Sequence, residues 1–103
     1  MLRKKYKLPI QSFVGKRGEI SKTPYFLLRK FASGSEYSRF GVTISVKAAP
    51  KATDRNRMKR LIYDFAAKTG KKLPTADYWV SVLPDAMNLP KKQFMRELEK
   101  ILR

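Results

Sequence analysis

The sequence contains no cysteine and no histidine, and only eight acidic residues among 103. Without cysteine there are no disulfides and no thiolate nucleophiles. Without histidine as well, the usual zinc ligands and the imidazole general base are gone. A self-contained metal-dependent nuclease would need clustered carboxylates or a general base, and neither is visible. Asp54 and Asp64 stand ten apart on one expected helix and form no carboxylate pair. No apolar run reaches membrane-spanning length. The basic opening MLRKKYKLPIQSF has no signal-peptide core, so the chain reads as cytoplasmic.

What is abundant is positive charge: 24 Lys and Arg residues bring the net charge to +16, spread from end to end. Such a field concentrates polyanions, so nucleic acid is the expected partner, with an anionic membrane surface second. Hydrophobic residues make up 43% and aromatics 12%, too rich for disorder. One domain over 1–103 is expected, with 1–23 a basic N-terminal arm.

Pro9, Gly15, Gly18 and Pro24 break the arm and leave room for a short helical turn around Ile10 to Val14. The β-prone run PYFLLRKF (24–31), the polar ASGSEYS and the alternating RFGVTISV (39–46) read as a hairpin. After a loop containing Pro50, Thr53 or Asp54 is the expected N-cap of a helix. Met58, Leu61, Ile62 and Phe65 form its apolar face, with Asn56, Arg60 and Tyr63 opposite and Arg55 and Lys59 at the border. That helix should end near Gly70. DYWVSVL (77–83) reads as a third strand, with Trp79 beside the core. Pro90 opens a last helix with Phe94, Leu98 and Ile101 on one face. The order predicts an α+β fold, a small two-layer sandwich with helices on one face of the sheet.

Four of the six residues Arg55 to Arg60 are cationic, where the helix dipole is already positive. A local choice that opposes stability marks a candidate functional site. Between Lys47 and Lys72 nine basic residues face only Asp54 and Asp64. Phosphate groups gripped by Arg55, Lys59 and Arg60 at the helix start would explain the pattern, against the plainer reading of a solvated charged face.

RFGVTISVK, a loop and RNRMKRLI resemble the core of the bacterial ribonuclease P protein subunit, a family that reads R-x-G, a strand closing on S-K-K, and an R-N-R-x-K-R-L-I helix. DYWVSVLP with a closing amphipathic helix resembles the family's last third, and KLPIQSF its short N-terminal element. The resemblance covers roughly 24–103. It implies an accessory protein of a ribonucleoprotein that removes the 5′ leader from precursor tRNA, with chemistry carried by catalytic RNA and its bound Mg²⁺, and with no catalytic or metal-binding residue on this chain. It also implies a mixed sheet with a left-handed βαβ crossover, against the general right-handed rule.

Carried over by position, Arg55, Asn56, Arg57, Lys59 and Arg60 are the RNA-contacting motif, and Arg39, Ser45, Lys47 and Lys51 lie on the approach to it. A leader-binding cleft would use Phe13, Tyr25 and Thr43. Aromatic faces there would stack on unpaired bases with little sequence preference.

The chain departs from the family pattern at several points. FVGKRG leaves a shorter first helix, Val46 replaces the first Lys of S-K-K, and the loop carrying Pro50 is one residue longer. Tyr63 and Asp54 stand at motif-flanking positions. A general RNA-binding or ribosomal protein shares every charge argument, and only the motif order separates it. A DNA-recognition helix would want a preceding helix, where this sequence has a strand.

Overall fold

β-Branched and aromatic residues at alternate positions build the sheet. The computed structural model describes residues 4–32, 34 and 36–102; the first three residues of the expected arm lie outside that set. The strands are β1 (Glu19–Lys22), β2 (Phe26–Ala32), β3 (Arg39–Ile44) and β4 (Ala76–Val82), and the helices α1 (Ala52–Thr69) and α2 (Lys91–Leu102). The sheet is mixed, in the order β1-β2-β4-β3, with β2 antiparallel and β3 parallel to β4.

This order corrects the expected hairpin. The runs at 24–31 and 39–46 are not neighbours, because β4 lies between them. β4 is the most completely covered strand, with Ala76, Asp77, Tyr78, Val80 and Val82 all buried, and a run buried on both faces belongs in the centre of a sheet. The actual hairpin joins β2 to β1, a strand absent from the sequence reading. Its turn has Pro24 at the second position, which suits the fixed proline φ. The Thr23 hydroxyl accepts the N–H groups of Tyr25 at 3.2 Å and Phe26 at 3.1 Å.

One face of the sheet presents Phe26 and Leu28 from β2, Phe40 and Val42 from β3, and Tyr78, Val80 and Val82 from β4. Against it pack Met58, Ile62 and Phe65 of α1 and Phe94, Leu98 and Ile101 of α2. Phe40 stacks on Tyr78, and Phe26 meets Phe94 edge-on. The two-layer α+β architecture therefore holds, with both helices on one side.

The other face belongs to the arm, which forms a 3-10 turn over Ile10–Phe13. Leu8 and Phe13 bury themselves with Phe31, against Trp79. Gly41 permits this close approach: a Cβ there would lie 2.7 Å from Ile10 Cγ1 and 3.1 Å from Leu8 Cβ. The Leu8 N–H also donates to the Phe40 carbonyl at 2.8 Å, covering part of the β3 edge.

Two details of α1 differ from expectation. The helix starts earlier, at Ala52, with Lys51 at the N-cap position and no side-chain cap. Thr53 and Asp54 thus lie inside the first turn, where the Asp54 carboxylate suits the positive helix end. Tyr63, expected on the solvent face, is half-buried against the helix-side core. Burial raises its hydroxyl pKa, while a hydrogen bond from the Val42 backbone pulls it down.

Candidate nucleic-acid interface

The end of β3 feeds two surfaces. Beyond Ile44 the chain turns through Ser45 to Lys51 and enters α1. The Ser45 Oγ and carbonyl each accept the Ala48 N–H at 3.1 Å, and the carbonyl also accepts that of Ala49 at 3.0 Å. This turn leaves Val46, Lys47 and Lys51 exposed. At about 100° per residue, Asn56, Arg57 and Arg60 fan over about a quarter of the α1 circumference, with Lys59 beside them. Asn56, Arg57 and Arg60 are exposed, and Lys59 and Arg55 are half-buried. Arg57 makes only a loose contact with Asp54, 3.8 Å apart and largely in water, which holds it weakly. Arg55 is engaged differently: its Nη1 donates to the carbonyls of Ala49 at 2.7 Å and Pro50 at 2.9 Å.

The second surface is the sheet face under the arm. Period-two alternation puts Arg39, Gly41 and Thr43 there from β3, Asp77, Trp79 and Ser81 from β4, Leu27 and Arg29 from β2, and Ile20 and Lys22 from β1. Trp79 Nε1 donates to Thr43 Oγ1 at 3.0 Å, and Thr43 shares a 2.9 Å hydrogen bond with Ser81. Cations already lie over the rings: Arg29 is 4.7 Å from the Trp79 ring and Lys16 4.5 Å from that of Phe13. A single strand entering here would find aromatic faces for its bases and displaceable cations for its phosphates.

The structure thus brings Ser45, Lys47 and Lys51 together with the α1 motif, and Phe13 and Thr43 onto the sheet face. Arg39 joins the sheet face rather than the α1 motif, with its guanidinium 5.6 Å from the Phe13 ring, and Tyr25 joins neither. Arg39 sits at the far end of β3, where Nε and Nη2 donate to the two carboxylate oxygens of buried Asp77 at 3.1 and 2.9 Å. That hydrogen bond raises its pKa. Tyr25 lies in the β1–β2 turn and packs against the helix-side core, away from Phe13 and Thr43. Missed in the sequence were Lys16 and Arg29; Trp79, expected beside the core, is half-buried and packs against Leu8, Phe13 and Phe31. The Thr-Pro turn followed by PYFLLRKF could have revealed β1–β2, and the alternation in DYWVSV put Trp79 on the face opposite Tyr78. Among the described residues no group of three or more His, Cys, Asp or Glu side chains could hold a metal ion, and no helix is long and apolar enough to cross a membrane.

The sequence matches the Ribonuclease P family over residues 6–103. A "Ribonuclease P protein component" of Synechocystis sp. is 38% identical over 68 residues, covering 65% of this chain, which spans about half (55%) of that protein's length. That of Edwardsiella ictaluri is 28% identical over 92 residues, 89% of this chain and 77% of its own. In fold, the chain is similar to the RNase P protein of Staphylococcus aureus (TM-score 0.85, 21% identity, 94% and 92% of the two chains) and to that of Thermotoga maritima (TM-score 0.82, 22% identity, 93% and 94%). The chain therefore belongs to the ribonuclease P protein family.

Proposed function

We propose that this chain binds a bacterial ribonuclease P catalytic RNA through the start of α1 and the 5′ leader of precursor tRNA through the sheet face under the arm, and so assists leader removal in the cytoplasm. The observation that carries the reading is the junction at the end of β3. Thr43 of the aromatic face is two residues from Ser45, where the basic loop begins, so the two surfaces adjoin within about 7 Å of extended chain.

The basic side contributes Lys47, Lys51, Asn56, Arg57, Lys59 and Arg60. Their role is to neutralise phosphates of the catalytic RNA with displacement of counterions, a salt-dependent and largely sequence-independent interaction. The aromatic side contributes Phe13 and Trp79, with Thr43 and Ser81 fixing the indole and Lys16 and Arg29 at hand for the leader backbone. Stacking tolerates any base, which suits an enzyme that handles many leaders.

Among the described residues no group of three or more His, Cys, Asp or Glu side chains could hold a metal ion; Mg²⁺, and the hydrolytic chemistry it would supply, is assigned in this proposal to the RNA. The protein's part is to bind and orient.

The test is precursor-tRNA cleavage by a bacterial ribonuclease P RNA at low Mg²⁺, with and without this chain. Stimulation that requires both components supports the reading. Tight RNA binding without stimulation favours a general RNA-binding role, and cleavage by the chain alone would overturn the reading altogether.

A further inference from the structure

Arg55 stands first in the basic motif, yet its guanidinium is turned back onto the chain, onto the carbonyls of Ala49 and Pro50. Those carbonyls belong to the loop whose other end is held by Ser45 through Ala48 and Ala49. The first turn of α1 has no side-chain cap of its own; Lys51 supplies only its carbonyl, to the N–H groups of Asp54 at 3.1 Å and Arg55 at 3.2 Å. Arg55 therefore closes the loop onto the helix from inside the motif. Ala49, the residue it grips, is buried, while Lys47 and Lys51 on either side are exposed.

We propose that Arg55 is a positioning residue that makes no phosphate contact: it holds the Ser45–Lys51 loop so that Lys47 and Lys51 meet RNA on the same side as Arg57 and Arg60. This rests on the RNA-binding reading above. A lysine at position 55 keeps the charge, but its ammonium lies one bond nearer the backbone and falls short of the point from which Arg55 Nη1 reaches both carbonyls.

The experiment measures affinity of the full chain for a bacterial ribonuclease P RNA over a salt series, for the parent, Arg55→Lys and Arg55→Met. The expected result is that both variants lose about fivefold to tenfold, the effect of losing one cap-strength interaction, and share one log–log slope, because the charge that lysine keeps restores nothing. Lys51→Ala should then cost less in the Arg55→Met background than in the parent. A slope reduced by roughly 0.7 to 0.9 in Arg55→Met but kept in Arg55→Lys, additivity with Lys51→Ala, or unchanged affinity in folded variants would each overturn the proposal. Should Arg55→Met not fold, Ser45→Ala loosens the same loop with Arg55 in place and should give a loss in the same direction; a parent-like affinity for it would overturn the proposal equally. Failure of the underlying reading looks different, since the parent itself would then show no salt-dependent binding to this RNA.

Discussion

Arg39 and Asp77, 38 residues apart in sequence, face each other across the parallel β3–β4 pair and close a two-pronged ion pair on the sheet face under the arm. The carboxylate is almost sealed from water, at 1% exposure, whereas the arginine keeps 26%. Removing the arginine would strand a buried charge, which typically costs about 3–5 kcal/mol. Because Arg39 is partly solvated, Arg39→Ala should destabilise the chain by about 3 kcal/mol, read from urea unfolding. A loss below about 1 kcal/mol would mean that water replaces the guanidinium easily.

Among the described residues, Arg57 and Arg60 project from α1 with no partner beyond the loose Arg57–Asp54 contact. The substitutions Arg57→Ala and Arg60→Ala should each reduce the slope of log affinity against log salt for the catalytic RNA by roughly 0.7 to 0.9, one phosphate contact apiece. The thermal midpoint should barely move, since exposed side chains away from packing contribute little to stability. A slope equal to the parent's in the double variant would place the RNA elsewhere.

Trp79 is fixed by Thr43 and covered by Arg29. If a leader base stacks there, Trp79→Ala should weaken binding of leader-bearing precursor tRNA to the holoenzyme by about 1–3 kcal/mol and leave mature tRNA binding unchanged. Equal losses for both ligands would assign Trp79 to the fold alone.

Burial raises the pKa of the Tyr78 hydroxyl, which donates to the Pro74 carbonyl, and also that of Tyr63. A tyrosine with a raised folded-state pKa contributes stability that is fully present below about pH 10, its ordinary value, and lost as pH rises through the folded value. Unfolding free energy should therefore fall above about pH 10. Tyr78→Phe should be less stable at neutral pH, yet lose less between pH 9 and 11 than the parent does. An identical alkaline loss in both would assign the effect to other groups.

Much of the fold was legible in local pattern. The periodicity of Met58, Leu61, Ile62 and Phe65 located α1, Pro90 with Phe94, Leu98 and Ile101 located α2, and Gly70 marked the end of the first helix. Strand alternation located β3 and β4 to within a residue or two. Pairing was not legible in the same way: β2 and β3 each alternate, and nothing within either run says that its neighbour in space lies more than thirty residues further on. β1 escaped notice because its four residues are all exposed and carry no apolar pattern.

The sequence alone pointed to a polyanionic partner, because net charge is a property of composition. It also determined the family, because RNRMKRLI after RFGVTISV is a local string. Only the tertiary structure decided which cations are free for RNA. Arg39 is bound to a carboxylate 38 positions away and Arg55 to loop carbonyls behind it, while Arg57 and Arg60 remain in water. A side chain's charge is fixed by its identity, but its availability depends on which acceptors the fold brings within hydrogen-bonding distance.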